Sequence, residues 1–108
     1  MFRMDRVNSE VMKALLQIVQ TMSDRRIANN LITISYVQTA PDLKNAKVGV
    51  SGENVKEVVK VLNSSKGYIR RELASKLIMK NTPELLFVVD DTAEKANRIE
   101  ELLKKISE

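Results

Sequence analysis

The apolar positions of this chain repeat with two periods, and the switches between them mark its elements. Val7, Val11, Leu15, Ile18 and Met22 fall on one stripe, with Met12 and Val19 beside it, a spacing that predicts an amphipathic helix over 5–22. Ser23-Asp24-Arg25-Arg26 and Asn29-Asn30 read as loop. Leu31 to Thr39 is β-rich, yet Ile32 and Ile34 share one parity while Val37 and Thr39 share the other. A bulge near Ser35-Tyr36 brings both pairs to the same face. Pro41-Asp42 sets a turn. Ala46, Val48 and Val50 then alternate with Lys47, Gly49 and Ser51 as the returning strand.

Ser51 is placed to cap the next helix, whose buried stripe is Val55, Val58, Val59 and Leu62. Only Ser65-Lys66-Gly67 separates that helix from another, in which Ile69, Leu73 and Leu77 continue the stripe and Ala74 permits close packing. Asn81-Thr82-Pro83 stops it. Leu85, Phe87 and Val89 alternate as a third strand, and Asp91 with Glu94 resembles a capping box. The last helix is expected to bury Ala96, Ile99, Leu102, Leu103 and Ile106.

The resulting order is α-β-β-α-α-β plus a C-terminal helix, read as one domain over 1–108. It predicts an α+β fold with a three-stranded sheet and helices packed on one face. Two antiparallel strands followed by a third reached through helices fit a type II K-homology arrangement; short ferredoxin-like variants share the pattern.

Composition narrows the chemistry. The 108 residues include no Cys and no His, which removes disulfides, thiolate catalysis, most zinc sites and the commonest general base. Asp90-Asp91 is a poor metal pair because adjacent strand residues face opposite ways. With no serine beside an evident base, the chain reads as a non-enzyme needing no cofactor. The first residues lack the apolar run of a signal peptide, and no apolar stretch is long enough to span a membrane. A cytoplasmic location is therefore expected.

Charge is distributed unevenly. Residues 1–80 hold 14 Lys/Arg against 7 Asp/Glu, a net +7, whereas 81–108 carry a net −3. A basic body of this kind suits a polyanionic partner. The sharpest cluster lies at the helix–helix corner, where Lys66, Arg70 and Arg71 surround Ser65 and Gly67. Gly67 is read there as the residue that tolerates positive φ, so that a valine at this position should misdirect the corner. Helix N-terminal amides and cations at such a corner can meet phosphates together. Arg3 and Arg6 on the first helix, Lys44 and Lys47 at the hairpin turn, and Lys76 and Lys80 closing the third helix extend the candidate RNA-binding surface. Tyr36 and Tyr68 are placed either to touch RNA or to sit half-buried with a hydroxyl in water. Four aromatic residues in all are too few for base-by-base reading of a single strand, which favours structured RNA recognised by shape and backbone.

K-homology domains clamp nucleic acid with a Gly-x-x-Gly loop between two helices. The one literal match, Gly49-Val50-Ser51-Gly52, sits at a strand-to-helix junction and is set aside as a strand glycine and a glycine near a helix start. In order and spacing, several stretches together resemble the ribosome-binding factor A family of bacterial small-subunit assembly factors. They are Asp24-Arg25-Arg26, Ile32-Thr33-Ile34, Asp42-Leu43, Ala46-Lys47-Val48, the run from Lys66 through Ala74, Pro83 through Phe87, and Asp90-Asp91-Thr92.

The resemblance implies an Ala-x-Gly kink in place of the Gly-x-x-Gly loop, here Ser65-Lys66-Gly67, with a Ser65 hydroxyl able to bond back to a helix carbonyl. Arg25 stands where the family usually has proline. It also implies a monomer that binds the immature 30S subunit through 16S rRNA, supports 5′-end processing and growth in the cold, and is released with a ribosome-associated GTPase. A generic K-homology-like RNA binder and a protein-interaction module working through the acidic C-terminal helix are the competing readings.

Overall fold

The computed structural model describes residues 3–77 and 81–107, the side chains of Arg3, of 93–97 and of Ser107 lying outside that description. Helix α1 (Arg3–Thr21) buries Val11, Ala14, Leu15 and Ile18 as its spacing requires. The segment read as loop contains one helical turn, α2 (Arg25–Ala28). Two local causes escaped the periodicity. Asp24 accepts the Arg26 backbone N–H at 2.9 Å and so caps the turn, and Ile27 supplies a single buried anchor. Hydrogen bonds from the Arg26 guanidinium, with its backbone N–H and its charge, hold the Asp24 carboxyl below its ordinary pKa.

Strands β1 (Ile32–Thr39) and β2 (Asn45–Gly52) pair antiparallel, and their register slips between Ile34 and Tyr36. That bulge turns Ile34, Val37 and Thr39 to the core despite their mixed parity. Tyr36 lies opposite Gly49, and its ring fills the space that a Cβ at Gly49 would need. Gly52 is required for a different reason. Its φ is +132° and a Cβ there would run into the Leu31 carbonyl oxygen. Strand β3 (Glu84–Val89) joins β2 in parallel, so the sheet order is β1-β2-β3 with β2 central.

Helices α3 (Val55–Ser64) and α4 (Lys66–Lys76) bring Val58, Val61, Leu62, Ile69 and Leu73 into the core with α1 and the sheet. Ser51 does not cap α3 as expected, because it is still paired with Thr33 in β2; Asn54 in the left-handed region begins the helix instead. Asn63 ties α3 to β3 through both halves of its amide. It donates to the Phe87 carbonyl at 2.9 Å and accepts the Phe87 N–H at 3.0 Å.

Three further expectations fail on packing. Helix α4 ends at Lys76, with extended Leu77 as its cap and well before Pro83. Ala74 is exposed rather than packed. The last helix, α5 (Thr92–Ser107), leaves Ile99, Leu102 and Leu103 about three-fifths exposed and Ile106 four-fifths exposed. Periodicity identified its apolar stripe correctly, but a stripe names a face and not the surface that covers it. Asp90 accepts the Thr92 N–H and hydroxyl, at 3.1 and 2.6 Å, at the start of α5; Asp91 stands directly before the first helical residue, and the Glu94 half of the expected capping box lies outside the described residues.

Candidate nucleic-acid interface

One residue makes the corner between α3 and α4. Ser65, at φ −103° and ψ 8°, has left the helical region, yet its N–H still donates to Val61 and Leu62 while its carbonyl accepts from Ile69 at 3.0 Å. Both helices therefore keep their terminal hydrogen bonds across a one-residue break. The hydroxyl that bonds back to a carbonyl belongs to Ser64, reaching Val61 at 2.7 Å; Ser65 makes no side-chain cap bond.

Gly67 is not the pivot. It lies inside α4 without positive φ, and a Cβ there would meet no atom within 4 Å. The expectation that valine would misdirect the corner through a strained glycine is thus corrected. Gly67→Ala should leave the fold intact and raise stability by about 0.5–1 kcal/mol, as alanine replaces glycine in a helix. A thermal melt lower than the parent's would contradict this assignment.

Along α4, Gly67, Arg70, Arg71 and Ala74 follow the spacing of one helical face and line an open cleft of about 490 Å³, closed opposite by Asn81, Thr82, Glu84 and Leu85. Lys66 sits at its mouth and also faces a second hollow, of about 410 Å³, with Lys47, Glu84 and Leu86. Parity explains that neighbourhood. Ala46 and Leu85 point into the core, so Lys47, Glu84 and Leu86 project from the opposite face of the sheet. Lys44 joins the group because its carbonyl accepts the Glu84 N–H at 2.8 Å.

The structure therefore gathers Lys44, Lys47, Lys66, Arg70 and Arg71 at the end of the sheet where β2 and β3 begin. The N-terminal turns of α1 reach the same end, since Asn8 accepts the Thr39 N–H at 2.9 Å and Thr39 pairs with Ala46. Arg6 is exposed there, and Arg3 lies one turn earlier on the helix, its side chain undescribed. Lys76 is exposed at the far end of α4, about 15 Å of helix from Lys66. Lys80 lies outside the described residues.

Arg70 differs from its neighbours. Its Nε and Nη2 donate to the Thr82 carbonyl at 3.2 and 2.8 Å, and its Nη1 stands 3.3 Å from Glu84 Oε1. The side chain is 43% exposed, and Arg70 is not a free surface cation: it is a tether between α4 and the start of β3 that still shows an edge to solvent. Lys66 and Arg71 form no ion pair with any described residue. Tyr68 is partly exposed beside them, whereas Tyr36 is held over Gly49. Glu84 is the site residue that sequence reasoning missed. Fourteen positions separate it from Arg70, and no local spacing announces a pair made only when β3 docks beside α4. Among the described residues no group of three or more acidic, His or Cys side chains could hold a metal ion.

Comparison with known proteins gives a consistent result. Residues 3–103 match the family model described as Ribosome-binding factor A. The chain is 38% identical to Ribosome-binding factor A of Caldicellulosiruptor bescii, over 97% of this chain and 84% of that protein. Its fold is similar to the solution structure of a Thermotoga maritima protein assigned as a ribosome binding factor A, with TM-score 0.72 and 33% identity over 81% of this chain and 86% of that one. The Thermus thermophilus ribosome binding factor A fitted into a cryo-EM map of a 30S complex shares the fold at TM-score 0.66 and 21% identity, over 78% of this chain and 91% of that one.

Proposed function

Because the chain belongs to the ribosome-binding factor A family, we propose that it is a non-enzymatic assembly factor for the small ribosomal subunit. It binds the immature 30S particle through 16S rRNA and supports late maturation and 5′-end processing. Growth in the cold, action as a monomer and release with a ribosome-associated GTPase belong to the same reading. The observation that carries it is the convergence of Lys47, Lys66, Arg70 and Arg71 on the clefts beside a one-residue helix corner. Cations on short, rigid elements are held ready for sugar–phosphate contacts, at little cost in ordering.

Support for a particle-bound role comes from the Thermus relative, whose coordinates were fitted into a map of a 30S complex. A protein-interaction role for α5 has one observation in its favour, the exposed stripe of Ile99, Leu102, Leu103 and Ile106. Salt distinguishes the two. With three phosphates engaged by Lys47, Lys66 and Arg71, the log–log slope of subunit affinity against salt is expected to be about −2 to −3. Co-sedimentation with purified small subunits across a tenfold range of KCl measures it. A slope near zero would move the interaction to the apolar stripe and sink the phosphate reading.

A further inference from the structure

Arg70 has more donors than its tether uses. Two of its nitrogens are committed to the Thr82 carbonyl, which fixes the plane of the guanidinium; the third meets Glu84 at 3.3 Å. These partners are unequal. The carbonyl contact is part-buried and bidentate, whereas the Glu84 side chain is 63% exposed and held by this one ion pair. Exposed pairs of this kind contribute little to stability. Glu84 is also the acidic side chain common to both clefts, standing among Lys66, Arg71 and Lys47. A carboxylate there weakens the field that would attract RNA, and its backbone role, the N–H bond to Lys44, does not require the side chain.

We infer that Glu84 is an exchangeable counter-ion that occupies the phosphate position of Arg70 in the free protein and yields it when RNA binds. A phosphate oxygen replaces the carboxylate at Arg70 Nη1 while the Thr82 carbonyl keeps the guanidinium in place. The arginine is thus aimed before its ligand arrives. Each binding event breaks one exposed ion pair, which lowers affinity and eases release. The inference rests on the RNA reading of the corner, and it assigns Glu84 a role in tuning that interaction.

Glu84→Gln tests it by co-sedimentation with small subunits and by the salt slope. Removing one repulsive charge close to a phosphate should tighten binding about fivefold at low salt. The slope should steepen, by at most about 0.7–0.9, because the cations released are those condensed on the RNA phosphate and the displaced Glu84 carboxylate no longer keeps one nearby. The gain must depend on Arg70, so in an Arg70→Gln background Glu84→Gln should gain less than about twofold. Glu84→Ala, which also keeps the backbone bond, guards against a glutamine that bridges to Arg70 itself. Unchanged affinity and slope in both Glu84 variants overturn the exchange, as does a gain that persists undiminished without Arg70. Failure of the parent chain to sediment with subunits is a different result; it removes the RNA reading and this inference with it.

Discussion

Reversing Lys66 and Arg71 together is expected to weaken small-subunit association about a hundredfold at low salt, roughly tenfold for each charge-assisted contact turned repulsive. Both side chains are exposed on α4 and neither is engaged by another described residue, so the melt should stay within about 0.5 kcal/mol of the parent. The loss should shrink as salt rises, because the contacts it removes are the salt-sensitive ones. Arg70 does not suit the same reversal. Its guanidinium holds the Thr82 carbonyl, and reversing it would place a carboxylate against that oxygen and disturb the entry to β3. A double variant that pellets with subunits like the parent, at low salt and properly folded, would rule out the corner as the RNA contact.

The second large effect concerns stability. Phe87→Ala is expected to cost about 3–5 kcal/mol, the loss of a large buried ring plus the cavity left behind. Phe87 is 1% exposed at the middle of β3, paired in register with Val48 of the central strand. Its backbone is fixed on both sides, by the ladder with β2 and by the Asn63 amide, so the strand has little freedom to collapse into the void. Domains of this size have only about 5–15 kcal/mol in total, and the midpoint of thermal unfolding should fall by more than about 12 °C. Phe87→Leu keeps most of the volume and should lose less than half as much. A fall of under roughly 1 kcal/mol for the alanine variant would mean that the ring is not the packed centre described.

What could be read from the residues follows from where the determining contacts lie. The α1 stripe, the strand alternations and the bulge at Ser35 were legible because each is set by neighbours within a few positions. The break between α3 and α4 was legible as a junction, though its pivot was assigned to Gly67 when Ser65 makes it. Glycine marks where a backbone is permitted to turn, and here the helix used a residue that needed no such permission. Helix α2 was missed because four residues give no period, only a cap and one apolar anchor. The cations of the site were found by type, but the grouping of Lys47 with Lys66, and the capture of Arg70 by Thr82 and Glu84, depend on β3 lying parallel to β2. Burial of α5 was inferred from a stripe whose described members, Ile99, Leu102, Leu103 and Ile106, are exposed; Ala96 lies outside the described side chains.

The central place of β2 also orders events during synthesis. Its antiparallel partner has already been translated when β2 emerges, and the two close as a hairpin. Its other edge stays bare until residues 84–89 leave the exit tunnel, some thirty residues later, with α3 and α4 among them. Throughout that interval the open edge of β2 presents a row of backbone amides and carbonyls, a template for mispairing with other chains. Docking of β3 caps that row and at the same step aims Arg70. The polypeptide thus gains its guarded sheet and its oriented guanidinium in a single closing move, and a nascent chain stalled before that move has neither.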